Sequence, residues 1–169
     1  VTCTGEYVLL ARDGRIVDTC KVNGFEATCA AISEDGSECC VGGGDKAARI
    51  FKISNDKLQQ TDIKLDQLQG KVTAVAYSPD GPIAVGDAVK EITLWDRSSR
   101  ECIIRNKWVF HTSSVTSLQW SPSGKFLASS GLDRQIIIWN PAKKLKKTRI
   151  QDAHALGVFS VAWLDDKVL

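Results

Sequence analysis

The sequence predicts an all-β chain folded as a β-propeller of four-stranded antiparallel blades. Three observations carry that expectation. A short alternating segment recurs as "ATCAAIS" (27–33), "VTAVAYS" (72–78), "VTSLQWS" (115–121) and "VFSVAWL" (158–164), with starts 45, 43 and 43 residues apart. A polar turn containing glycine follows three of these segments, at Gly36, Gly81 and Gly124. A later strand then ends in an aromatic residue, at Phe51, Trp95 and Trp139, each 44 residues from the last. Period-two alternation marks a half-buried strand, and self-similarity at 40–45 residues marks a blade of about four strands.

Each element follows from local chemistry. The first strand of a repeat alternates apolar and polar residues. The turn after it needs a residue tolerant of positive φ, which glycine supplies. A second, short apolar strand and a third strand ending in the aromatic come next. The fourth segments, "KLQQTDIKL", "ECIIRN" and "LKKTRIQ", are more polar, as suits an outer edge strand facing water. Residues 57–69 also have the propensity for an amphipathic helix, but a helix there breaks the period. The blade boundaries expected are a partial, degenerate blade over 1–22, blades over 27–69, 72–110 and 111–153, and the start of another over 154–169. Those repeats do not close a ring by themselves. The chain also contains no methionine. It is therefore expected to be a piece, or the ordered part, of a longer propeller protein.

Composition narrows the function classes. Of the 169 residues, 43% are hydrophobic and 25% charged, the balance of a globular domain with a core. A formal net charge of +2 offers no broad electrostatic field for nucleic acid or a membrane surface. The six cysteines form no C-x-x-C pair and stand beside only two histidines, so no metal or other cofactor is expected. They read as reduced, packed thiols of an intracellular protein; a secreted disulfide framework is the alternative.

Between His111 and Asn140 the chain gathers a histidine, several serines and an aspartate, the residue types of a nucleophilic hydrolase. No G-x-S-x-G elbow accompanies them, and the stretch recurs as part of a structural period. A neutral imidazole can donate from one nitrogen and accept at the other. His111, Ser129, Asp133 and Trp139 can thus satisfy one another when buried, the carboxylate accepting from the imidazole and the indole donating to the hydroxyl. The expectation is a structural brace, no catalytic residue and no small-molecule substrate. Elsewhere the set is partial. Asp45 matches Asp133 but is followed by Phe51. The middle repeat has Val89 and Leu68 at the aspartate and histidine positions and retains Trp95. His154 matches His111.

"TLWD" (93–96) and "IIWN" (137–140), with the period and the Ser-Pro turns, resemble the WD-repeat proteins. In that family a histidine before the first strand, a Ser or Thr in the second, an Asp before the third and a Trp at its end form a buried network. "NKWVFHTSSVTSLQWSPSGKFLASSGLDRQIIIWNP" followed by "DAHALGVFSVAWLDDKVL" is similar to the last blades of the actin-interacting protein 1 family. The resemblance covers about residues 70–169 best. It implies two linked seven-bladed propellers, with this chain in the second. It further implies a non-enzymatic, cytoplasmic, cytoskeleton-associated regulator. Such a regulator binds actin and cofilin on cofilin-decorated filaments and promotes their disassembly. A WD-repeat adaptor in a ubiquitin-ligase or signalling complex is the alternative.

Partner contacts are expected on rigid loops at a propeller rim. Ser113, Ser114, Leu132, Gly44 and Lys46 lie beside the repeat turns, and ordinary solvated loops are the competing reading. The run "KKLKKTR" (143–149) concentrates positive charge in Lys143, Lys144, Lys146 and Lys147. It suits either an acidic partner or protection of an edge strand by lysine.

Overall fold

A computed structural model describes residues 1–79, 81–143 and 147–169. The strands form four antiparallel sheets, each a simple meander. The first has three strands, β1 (Thr2–Thr4), β2 (Tyr7–Arg12) and β3 (Arg15–Lys21). The second holds β4 (Ala27–Ile32), β5 (Glu38–Gly43), β6 (Ala48–Ser54) and β7 (Lys57–Leu65). The third holds β8 (Val72–Tyr77), β9 (Ile83–Asp87), β10 (Ile92–Trp95) and β11 (Cys102–Trp108). The fourth holds β12 (Val115–Trp120), β13 (Leu127–Gly131), β14 (Ile136–Trp139) and β15 (Lys147–Ile150). They are blades of a β-propeller and are called blades 1 to 4 below. Residues 57–65 are a strand: Phe51 pairs with Gln60 and Lys52 with Gln59, a ladder a helix would forfeit.

The core lies between the blades. Blades 2 and 3 are covered on both faces by neighbouring blades, and blade 4 by blade 3 and by Val158 and Val161, so the second strands β5, β9 and β13 are buried at every residue. Adjacent residues on β5 serve different layers: Cys39 packs with Val8, Leu10 and Phe51, while Cys40 packs with Ile50, Val72 and Ile83. Opposite faces of one strand thus bury two thiols in two clusters, and burial raises both, Cys39 to about 12. Close approach needs glycine at two second-strand positions. A Cβ on Gly42 would stand 2.5 Å from Val72 of the next blade, and one on Gly86 would stand 2.8 Å from Val115. The turn glycines Gly36 and Gly124 adopt φ of 67° and 68°.

The seams are tied by side chains recurring at the blade period. Trp120 donates its indole N–H to the Ala76 carbonyl oxygen at 3.3 Å, and Trp163 donates to that of Gln119 at 3.0 Å. Tyr77 occupies this position in blade 3, and its buried hydroxyl has no partner among the described residues. The seam there is closed instead by ions. Glu38, 8% exposed, accepts from Arg97 at 3.1 Å and from Arg100 at 3.2 and 2.7 Å. Asp35 receives Arg97 at 3.0 Å.

Residues 154–169 contain no strand. Val158 and Val161 are buried against Ala128, and Thr116 donates its hydroxyl to the Val158 carbonyl. The stretch lies along blade 4, but no described strand pairs with it. Alternation without a ladder does not make a strand.

Candidate functional site

The turn between the second and third strands of a blade is the locus where the candidate residues converge. In blade 4, β13 delivers Ser129, the turn delivers Asp133, and β14 ends in Trp139. His111 enters from the preceding loop. Its Nδ1 lies 3.0 Å from both Asp133 oxygens, and its Nε2 lies 2.8 Å from Ser129 Oγ. The carboxylate only accepts, so Nδ1 carries the proton and Nε2 accepts from the serine. Ser129 Oγ also accepts from the Trp139 indole at 2.8 Å. Asp133 additionally takes the N–H groups of Thr112 at 2.7 Å and Gln135 at 3.2 Å. Burial lowers the His111 pKa despite the opposing pull of Asp133, which keeps the ring neutral. Trp139 stacks on Trp108 with centroids 4.6 Å apart.

Chemically this arrangement is closed. Ser129 has no solvent exposure and His111 has 1%. The hydroxyl is committed on both sides, so no substrate reaches it. Gly131 is required beside it: a Cβ there would stand 2.7 Å from Asp133 Oδ1 and 2.8 Å from His111 Nδ1.

Blade 3 performs the same task with residues the repeat alignment passes over. Asp87 stands where blade 4 has Gly131, and it is 2% exposed. Its carboxylate accepts from Gly70 N at 3.1 Å, Val89 N at 3.0 Å and Glu91 N at 2.8 Å. Glu91 matches Gln135, and Gly70 lies in the loop matching Thr112. The carboxylate thus occupies the same place in space although its residue has moved two positions along the chain. No imidazole faces it, and burial raises its pKa. The indole of Trp95 donates to Thr93 Oγ1 at 2.9 Å, so a hydroxyl on the third strand replaces one on the second. The sequence signal was present: an aspartate at the glycine position coincides with a valine at the aspartate position.

The remaining partial sets resolve differently. Asp45 holds Arg49 through two hydrogen bonds of 2.9 and 2.6 Å, and that guanidinium lies 3.9 Å over the Phe25 ring. His154 is exposed, and its Nδ1 accepts a 3.4 Å bond from Leu156 N. No aspartate, serine or tryptophan among the described residues reaches it.

The candidate contact residues are also separated by the structure. Leu132 is 43% exposed, Ser113 is half-buried and Lys143 is exposed. Lys147 is drawn inward, its ammonium 3.2 Å over the Phe110 ring, an attraction that competes with any partner. Lys144 and Lys146 lie outside the described residues.

Residues 103–140 match the family model described as "WD domain, G-beta repeat". That stretch is therefore a WD repeat, and the neighbouring blades share its plan. This WD-repeat chain is 32% identical over 167 residues to the "66 kDa stress protein" of Physarum polycephalum, covering 98% of the chain and 27% of that protein. It is 32% identical to "Actin-interacting protein 1-2" of Arabidopsis thaliana, covering 94% of the chain and 26% of the relative. It is 35% identical to "WD repeat-containing protein 1" of Mus musculus, covering 100% and 28%. The WD-repeat chain thus spans about a quarter of the length of the curated relatives it matches. A chain of the "Crystal Structure of Mitotic Checkpoint Complex" superposes with a TM-score of 0.77 at 24% identity, over 93% of this chain and 47% of that one. That likeness concerns the fold alone.

Proposed function

We propose that this WD-repeat chain serves a non-enzymatic, cytoplasmic regulator of the actin cytoskeleton that binds cofilin-decorated filaments and promotes their disassembly. The observation that carries the reading is identity of 32–34% along most of the chain to relatives named as actin-interacting. The closed state of the one histidine–serine–aspartate group supports a brace in place of a catalytic site. A brace of this kind stiffens the turn beside it, and rigid turns are what a binding rim requires. Co-sedimentation of the whole protein with bare and cofilin-decorated filaments tests the reading. Pelleting with decorated filaments, with faster loss of polymer, is expected. A protein that stays in the supernatant in both cases returns the chain to the class of WD-repeat adaptors of other pathways.

A further inference from the structure

We propose that one rim of the propeller, centred on Lys46, Val89, Lys90, Leu132 and Arg134, is a docking surface for an acidic protein segment that also carries aliphatic side chains. The turns between β5 and β6, β9 and β10, and β13 and β14 lie at equivalent places in three successive blades. Each is sewn to the loop entering its blade by one backbone bond: Gly44 N to Glu26 O at 2.9 Å, Ala88 N to Lys71 O at 2.9 Å, and Leu132 N to Ser114 O at 3.0 Å. The rim is therefore a pre-ordered platform, and a partner ordering on it has little further loop entropy to remove.

Each turn presents a long cation at the same step. Lys46, Lys90 and Arg134 are exposed, and all three adopt left-handed backbone, with φ of 63°, 75° and 66°. That region disfavours residues bearing a Cβ, yet a basic side chain stands there three times. Three of the acids beside them are committed. Asp45 is held by Arg49, and Asp87 and Asp133 are turned inward onto backbone N–H groups. The exposed Glu26 lies 4.0 Å from the ammonium of Lys71, a weak pair that leaves both groups open to solvent. Among the described residues Lys46 and Lys90 have no anionic partner. Arg134 has only Asp152 at 3.1 Å, with both side chains more than half exposed, a pair that a partner's carboxylate can displace at little cost.

Aliphatic groups accompany the cations. Val89 is 49% exposed and Leu132 43%, each within two residues of a cation. Phosphate recognition has no use for exposed aliphatics, whereas a protein segment uses both kinds of contact. The surface is sharper than the lysine run after Asn140, where Lys147 is committed to Phe110. The inference deepens the proposed function and rests on it only for the partner's name.

Fluorescence anisotropy of the whole protein with a labelled peptide of alternating glutamate and leucine tests the rim separately from actin. Binding that weakens as salt rises, and falls at least tenfold in Lys46→Glu/Lys90→Glu/Arg134→Glu, is expected. Lys46→Arg/Lys90→Arg should bind as the parent does, and Val89→Ser/Leu132→Ser should bind several-fold more weakly. Unchanged melting temperatures certify that the variants fold. The proposal is overturned if the parent ignores the peptide, if charge reversal leaves affinity unchanged, or if a DNA duplex competes as well as the peptide. Peptide binding with no filament binding upholds the rim and defeats the actin reading.

Discussion

Blades 3 and 4 close the same turn with different residues. Blade 4 uses Asp133 with His111 behind it, and glycine at 131 makes room for both. Blade 3 places aspartate at the glycine position, and its carboxylate collects the equivalent N–H groups alone. What the fold requires is an acceptor at one point in space. Two positions in the chain can reach that point, but only one can carry the carboxylate, because a side chain at residue 131 would collide with Asp133.

The comparison can be broken most forcefully at the tryptophans. Trp139→Ala empties a fully buried site stacked on Trp108 and should cost ~3–5 kcal/mol in urea denaturation; Trp95→Ala, without that stacking, should cost less. Equal losses would mean that the aromatic stack adds nothing to blade 4. Removing either carboxylate comes next. Asp133→Ala and Asp87→Ala each strand buried donors and should destabilise by ~1–3 kcal/mol. The exchange variant Asp87→Gly/Val89→Asp should recover most of the Asp87→Ala loss. No recovery would show that the two carboxylates do not serve one place.

Acid should separate the blades by sign. His111 has a lowered pKa in the fold, so the unfolded chain binds the proton more readily. Its contribution is present above the ordinary value of 6.5 and is lost as pH falls through it. Asp87 has a raised pKa, so its ionisation opposes folding at neutral pH, and that penalty is relieved as pH falls through the raised value toward the ordinary 3.8. Melting curves from pH 7.5 to 4.5 should be flatter for His111→Gln than for the parent, and steeper at the acid end for Asp87→Asn. The opposite ordering would reverse the assignment. The smallest effect expected is for Thr93→Val, which removes the acceptor of the Trp95 indole and should cost ~1 kcal/mol; a silent variant would make that bond incidental.

Much of the fold was legible because its determinants are local. Alternation, turn glycines and the terminal aromatic lie within one repeat and recur in the next, so β4 to β15 follow the period. The grouping of His111, Ser129, Asp133 and Trp139 was legible for the same reason. Asp87 was missed because position in the repeat stood in for position in space. His154 keeps its place in the period, but a histidine alone does not make a brace. Residues 158–163 keep the strand pattern but lack a paired neighbour, and pairing is a tertiary fact.

The strand period, the turns and the residues of one complete brace can be read along the chain, since backbone ladders and turn chemistry act over a few residues. How the seams close depends on contacts between distant repeats. Arg97 and Arg100 meet Glu38 from 59 and 62 residues away, Trp120 finds Ala76 across 44, and Asp87 takes the place of a carboxylate from another position. Such contacts depend on how one sheet lies upon the next. That geometry is set by packing two faces at once, which no single repeat encodes.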